Sequence, residues 1–324
     1  MEEISLGENN QVNRKFNWQN GEKRYNSFNQ HLRQKFGEKV IRVSLDGGFT
    51  CPNRDGLVGR GGCIYCSARG SGDFAGAKEK TIPEQFQQIK ENIIKKWPKA
   101  KYLAYFQAYT NTYGPVEKLR ELYEEALQQE GVVGLALSTR PDCLPEEVLD
   151  YLAELNERTY LWVELGLQSV HNNTLKWMNR GHTFEEFLVG LKKLRERNIR
   201  VCAHLIYGFP EESREDMLYT AKTVSKLDIQ GVKLHLLHIL KNTALGKMYL
   251  DKPFPLLSQE EYVALIVDTL ELLPPEMVIH RLTGDAPRKD LIAPMWSSKK
   301  WETLNAIVQE LEKRNTWQGI YWSK

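Results

Sequence analysis

The chain has 324 residues, of which 41% are hydrophobic and 27% charged, with a formal net charge of +2. That balance suits a globular enzyme with an ample core, and the overall charge argues neither for nor against nucleic acid. No apolar run is long enough to cross a bilayer and Met1–Asn20 has no apolar signal core, so a cytoplasmic protein with no membrane partner is expected.

Residues 1–37 are polar, with Phe16, Trp18, Tyr25 and Phe28 scattered among them, and are expected to form an N-terminal extension that docks by its aromatics. Over residues 38–240, short β-branched or aromatic runs alternate with longer amphipathic stretches. Strands are expected at Val40–Leu45, Tyr102–Gln107, Val132–Ser138, Tyr160–Leu165, Arg200–Ile206 and Gly231–Leu237. Helices are expected between them at Pro83–Trp97, Val116–Glu130, Pro145–Leu155, Phe184–Arg197 and Arg214–Leu227. Pro83 and Pro145 fall in a first turn, and Gly131 follows the second helix. Val132–Leu137 is almost continuously apolar, as parallel strands covered on both faces are.

Six strands alternating with helices predict right-handed βαβ units of an α/β protein. An open doubly wound sheet and a barrel-like (βα)6 sheet both satisfy the pattern. In either, functional residues gather at the C-terminal strand ends. Residues 241–324 are expected to form a C-terminal extension that completes the substrate side. It contains a helix at Gln259–Leu273, a polar loop from Arg281 to Pro287 and a last helix at Lys300–Arg314.

Three of the five cysteines fall in one glycine-rich segment after the first strand, Cys51-Pro-Asn-Arg-Asp-Gly-Leu-Val-Gly-Arg-Gly-Gly-Cys63-Ile-Tyr-Cys66. An odd cysteine count speaks against a disulfide framework. Zinc would take a fourth Cys or His ligand, and none is near in sequence; His31 and His171 are the nearest histidines. A redox C-x-x-C would leave Cys51 unexplained. An iron–sulfur cluster held by three thiolates would keep one iron open for a chelating cofactor, and this is the preferred reading at an active-site strand end. Gly59, Gly61 and Gly62 would let the backbone wrap that centre. Cys202 is expected as strand packing, and Cys143 as a core or loop residue outside the cluster.

A three-cysteine loop after the first strand, with Tyr65 just before the last cysteine, resembles the radical S-adenosylmethionine (SAM) superfamily. The eleven residues between Cys51 and Cys63 depart from that superfamily's commonest spacing. Val163-Glu-Leu-Gly-Leu-Gln-Ser169, Met178-Asn-Arg-Gly-His182 and His204-Leu-Ile-Tyr-Gly-Phe-Pro-Glu211 are similar to the branch containing the catalytic subunit of Elongator. Val43–Gly56 is closer to the bacterial YhcC/YtqA-type proteins.

The resemblance implies a partial (βα)6 barrel core with N- and C-terminal extensions. It also implies a [4Fe–4S] cluster on Cys51, Cys63 and Cys66, SAM on the open iron, and an electron donor such as flavodoxin or ferredoxin. The reduced cluster would split SAM into methionine and a 5′-deoxyadenosyl radical. By position, Gln107, Tyr109 and Asn111 stand where relatives hold the SAM amine with a Gly-Gly-Glu, although no carboxylate is present in that stretch. Ser138 and Arg140, then Gln168 and Ser169, would serve the ribose and carboxylate. Gly208, Leu237 and His238 would border the adenine. Simpler roles compete: Arg140 pairing with Asp142, Gln168 satisfying loop backbone, Gly208 permitting a turn, His238 as a core histidine.

The same resemblance points to tRNA as the partner, and to the C5 side chain of the wobble uridine as the group modified, from 5-carboxymethylaminomethyl to 5-aminomethyl. Lys23-Arg24-Tyr25, Arg281, Arg288-Lys289, Lys299-Lys300-Trp301 and Trp317 mix the charges and aromatics that RNA needs. Arg281, Asp285 and Asp290 are the candidate substrate contacts. The sequence shows neither an acetyltransferase domain nor the extra cysteines of the methylthiotransferases. A radical enzyme for a small metabolite and a non-catalytic metal-binding module are the competing functions.

Overall fold

Seven parallel strands form one sheet in the computed structural model, which describes residues 23–323. In chain order the elements are α1 (Phe28–Phe36), β1 (Val40–Leu45), α2 (Pro52–Asp55), α3 (Ile82–Ile94), β2 (Lys101–Phe106), α4 (Val116–Leu127) and β3 (Val132–Thr139). Next come α5 (Glu146–Arg158), β4 (Tyr160–Gln168), α6 (Asn172–Trp177), α7 (Phe184–Glu196), β5 (Arg200–Tyr207), α8 (Arg214–Val224) and β6 (Gly231–Leu236). The C-terminal part adds β7 (Ile239–Leu240), α9 (Ala244–Asp251), α10 (Gln259–Leu272), β8 (Val278–Arg281), β9 (Leu291–Ala293) and α11 (Lys300–Lys313).

The sheet order is β1-β2-β3-β4-β5-β6-β8, a curled half-barrel, while β7 and β9 pair separately as a short antiparallel ribbon. The sheet order follows chain order, so each crossover helix packs on the same, outer face. Strand alternation sorts the side chains. On β4, Leu161, Val163 and Leu165 join the large apolar layer beneath the helices, whereas Trp162 turns inward. Helices α3, α7, α8 and α10 begin at reciprocal capping boxes, Thr81/Glu84, Thr183/Glu186, Ser213/Asp216 and Ser258/Glu261, which fix where each helix leaves its loop.

In the described part of the N-terminal segment, two of its aromatics pack against the fold. Tyr25 and Phe28 are buried, and α1 touches both edge strands, β1 and β8. Phe28 stacks on His280 at 4.0 Å and meets Trp162 edge-on at 5.9 Å, so this helix closes the floor of the half-barrel. Phe16 and Trp18 lie outside the described residues.

The expected Tyr25 stacking surface for RNA is therefore a core residue. A second difference is β8. The segment from Arg281 begins inside a strand, and Val278–Arg281 adds a seventh parallel strand beside β6. Four residues are too few to show a period, so this strand carries no sequence pattern of its own. Among the described residues no helix is long and apolar enough to cross a membrane.

Candidate active site

Because the seven strands are parallel, their C-terminal ends share one rim, and the cysteine loop leaves β1 at that rim. Cys51 opens the one-turn helix α2, its carbonyl accepting from Arg54 N at 2.7 Å and Asp55 N at 3.1 Å. The chain then folds back: Val58 N reaches Pro52 O at 2.9 Å, Gly62 N reaches Asn53 O at 2.8 Å, and Cys66 N reaches Cys63 O at 3.0 Å. Arg54 Nη2 donates to the carbonyls of Cys66 (3.2 Å) and Ser67 (2.5 Å). Gly62 has φ of +78°, and a Cβ there would meet Arg54 Nε at 2.8 Å. Glycine is thus required by this close packing of the loop on itself. Cys63 is buried, and Cys51 and Cys66 are half-buried.

The Met178–His182 segment clamps this loop from the far side. Met178 O accepts from Ile64 N at 3.0 Å, and Asn179 Nδ2 donates to Gly62 O at 2.8 Å. Arg180 Nη1 lies 3.6 Å from Cys63 Sγ, and Asn53 Nδ2 lies 3.7 Å from the same sulfur. Arg140 supports the clamp. It forms a two-point pair with Asp142 at 2.9 and 2.7 Å and donates to Arg180 O (2.7 Å) and Gly181 O (3.0 Å).

All three cysteines line one cavity of about 800 Å³ that runs from the rim down the inner wall of the half-barrel. That wall carries a buried ionic network centred on Glu164, which is 0% exposed. Oε2 of Glu164 stands 2.7 Å from Lys233 Nζ and 2.8 Å from His204 Nε2, and Oε1 lies 3.0 Å from Arg42 Nη2. Tyr105 OH accepts from Lys233 at 2.7 Å and meets Ser138 Oγ at 2.8 Å. Burial alone would raise the Glu164 carboxyl, but Arg42 and Lys233 overcome it and hold the group well below the usual carboxylate range. Burial pulls Lys233 down to about 8 and His204 to about 4. His280 Nδ1 lies between two members of the network, 2.7 Å from Arg42 Nη2 and 3.3 Å from Glu164 Oε1.

Residues 51–224 match the family model described as the radical SAM superfamily, and residues 229–313 match the radical SAM C-terminal domain. The chain belongs to the radical SAM superfamily. It is 55% identical over 312 residues to YtqA of Bacillus subtilis (strain 168), covering 96% of this chain and 97% of that protein. It is 27% identical over 198 residues to the tRNA uridine(34) acetyltransferase of Methanocaldococcus infernus, covering 60% of this chain and 36% of that one. Among solved structures, the archaeal Elp3 of Methanocaldococcus infernus superimposes with a TM-score of 0.65 at 20% identity, over 86% of this chain and 64% of that chain. That likeness concerns the fold.

Radical SAM enzymes use a [4Fe–4S] cluster and SAM, and the residues at the rim fit both groups. Three thiols from one loop make a sulfur donor set suited to iron. Two residues that line the cavity also carry buried polar atoms without a partner in the protein, Gln168 Oε1 and His238 Nε2. Gln168 ends β4 with φ of +73°, an uncommon backbone state for a residue other than glycine. Gln107, Tyr109, Ser138, Arg140, Leu237, Arg281 and Asp285 line the same cavity.

Four expected contacts are elsewhere. Asn111 is fully buried behind β3, where its Nδ2 donates to Ser138 O at 2.8 Å. Ser169 turns away to hydrogen-bond Glu212 and to accept from His171 N at 3.0 Å. Gly208 has φ of +98° with Leu257 and Leu236 beside it, so it serves the turn before Pro210. Asp290 lies outside the cavity and accepts Lys241 N at 2.7 Å through its carbonyl. Arg140, although at the cavity wall, spends its donors on Asp142 and the Arg180–Gly181 backbone. Cys143 is buried, and that burial pushes its thiol up to about 12, which leaves it protonated at neutral pH.

The inner network of Glu164, Lys233, Arg42, His204 and His280 escaped the sequence reading. Its signal was present: Arg42, Glu164 and Lys233 each interrupt an apolar strand, where a charge requires a partner across the sheet.

Proposed function

We propose that this radical SAM enzyme modifies tRNA, acting on the C5 side chain of the wobble uridine and converting 5-carboxymethylaminomethyl to 5-aminomethyl. In this reading Cys51, Cys63 and Cys66 would hold the cluster, three thiolates leaving it able to take SAM as well. When bound and reduced by a donor such as flavodoxin or ferredoxin, the pair supplies the 5′-deoxyadenosyl radical that begins the reaction. The observation that carries the reading is that all three cysteines line one cavity together with Gln168 and His238.

The chain's own residues then have distinct tasks. Gln107, Tyr109 and Gln168 offer polar atoms to SAM near the cysteines. Leu237 and His238 flank its base, His238 being neutral because burial lowers it to about 4. Arg281, Asp285 and Lys300 stand at the outer edge of the cavity, Asp285 accepting from Lys300 at 2.6 Å and from Arg281. Beside them Trp301 is 75% exposed, a flat ring next to Lys299 and Lys300 on which an RNA base can stack. The likeness to a tRNA uridine(34) acetyltransferase supports tRNA as the substrate class. A tRNA substrate places the reaction in the cytoplasm.

Nucleoside analysis of tRNA from a strain lacking the gene tests the assignment. The reading expects 5-carboxymethylaminomethyluridine to accumulate and its 5-aminomethyl product to vanish. A wobble profile identical to that of the parent strain would rule the substrate out.

A further inference from the structure

Arg180 is a buried cation without a carboxylate. It is 7% exposed, and no acidic side chain among the described residues pairs with it. Nη1 points at Cys63 Sγ (3.6 Å), Nη2 donates to Gly166 O (3.1 Å), and Nε has no partner at all. A guanidinium does not lose its proton inside a protein, so burying one without a counter-charge is strongly unfavourable. Arg140, whose Nη1 donates to the Arg180 carbonyl, shows the ordinary solution, a two-point pair with Asp142. Arg180 faces sulfur instead.

Its backbone is held with unusual thoroughness. Asn53 Nδ2 donates to the carbonyls of Asn179 (2.6 Å) and Arg180 (3.3 Å), and Arg140 Nη1 donates to Arg180 O at 2.7 Å. Asn179 and Gly181 take positive φ of +54° and +71°, which bends the turn tightly over Gly62 and Cys63. The Met178–His182 motif and the cysteine loop are therefore one packed unit, and the charge at its centre is aimed at a single thiol.

Resting on the assignment of Cys63 as a cluster ligand, we propose that Arg180 is a positioning residue that hydrogen-bonds the Cys63 sulfur and raises the reduction potential of the [4Fe–4S] cluster. A cluster bound by three thiolates is anionic when oxidised, and one added electron makes it more so. A fixed cation at the ligand sulfur stabilises the reduced form more than the oxidised one. Hydrogen bonds to cluster sulfurs and local charge are among the factors that set such potentials. The anionic centre in turn supplies the counter-charge that Arg180 lacks among the protein's carboxylates.

The test uses the full chain reconstituted anaerobically with iron and sulfide, as wild type, Arg180→Met, Arg180→Lys and Cys63→Ala. Iron and sulfide content, thermal unfolding and a dithionite titration followed by electron paramagnetic resonance are measured on each. Arg180→Met is expected to keep the cluster and to disfavour its reduction at least tenfold, about 59 mV for one electron. Arg180→Lys, which keeps the charge but not the planar fork, is expected between the two. A full cluster in Arg180→Met with the wild-type potential overturns the proposal. So does a native fold in both Arg180 variants with no cluster in either, because the residue would then serve loading and not tuning. A full [4Fe–4S] cluster in Cys63→Ala removes the ligand assignment and the proposal with it, an outcome distinct from the other two.

Discussion

Lys233 reaches past β5 to place its Nζ 2.7 Å from Oε2 of Glu164, and the two side chains are 3% and 0% exposed. The pair ties β6 to β4 across the inner wall of the half-barrel. Glu164 also answers Arg42, so it neutralises two cations from strands on opposite sides of the sheet. Replacing it by glutamine leaves both without a counter-charge. Glu164→Gln is expected to lose about 3 kcal/mol or more of unfolding free energy in urea. Glu164→Gln with Lys233→Met should lose less than the sum of the two single changes, since the second removes a charge the first has stranded. Additive losses would show that the contact contributes nothing of its own.

Acid sensitivity follows from the neutral histidines around this network. Burial lowers His204 and His238 to about 4 and His280 to about 3, so all three stay neutral in the fold at pH 5. The same residues bind protons in the unfolded chain near their ordinary value of about 6.5. The unfolded state therefore holds more protons between pH 6.5 and 4, and stability falls as pH drops through that window. Each histidine contributes up to about 1.4 kcal/mol per pH unit. Urea unfolding between pH 6.5 and 5 should show this slope, and His204→Gln should flatten it. An identical slope in the variant would mean that His204 takes up its proton in the fold as well.

Much of the framework was legible in the sequence. The β-branched runs from Val40 and Arg200 and the amphipathic stretches from Val116 and Phe184 gave strands and helices that begin where expected, because each combines a clear period with a cap or a turn. The short elements were not legible. Helices α1, α2, α6 and α9 and strand β8 are defined by what they pack against. At the site, Cys51, Cys63 and Cys66 stood out because chemistry dictates their spacing. The loop residues split: Gln107, Gln168 and His238 face the cavity, while Asn111 and Ser169, equally polar and equally placed after a strand, turn into the protein. Position after a strand fixes the rim, and only the backbone path fixes the direction of a side chain.

The rim charges behave differently from the buried ones. Asp285, Arg281 and Lys300 are about one-quarter to one-third exposed. Such pairs contribute little, so Asp285→Asn should change stability by less than about 1 kcal/mol. If Asp285 contacts substrate, the same variant will lose turnover on tRNA while forming 5′-deoxyadenosine without tRNA at the wild-type rate. Full tRNA turnover would leave Asp285 as a surface pairing residue only.

Trp301 tests the proposed RNA surface independently of the cofactors. Removing a ring on which a base stacks weakens single-stranded RNA binding by about 1–3 kcal/mol, roughly fivefold to 150-fold. Trp301→Ala should show that loss in a tRNA-binding titration, with unaltered stability because the ring is exposed. Equal affinities would move the docking face away from α11.

The most direct measurement is of 5′-deoxyadenosine formed from SAM by the anaerobically reconstituted, reduced protein, comparing wild type, Cys63→Ala and Cys143→Ser. Wild type and Cys143→Ser are predicted to form it and Cys63→Ala to form none, because the proposal makes Cys63 a cluster ligand whereas Cys143 is a buried, protonated thiol. No 5′-deoxyadenosine from wild type with an intact reduced cluster, or an undiminished yield from Cys63→Ala, would contradict the account.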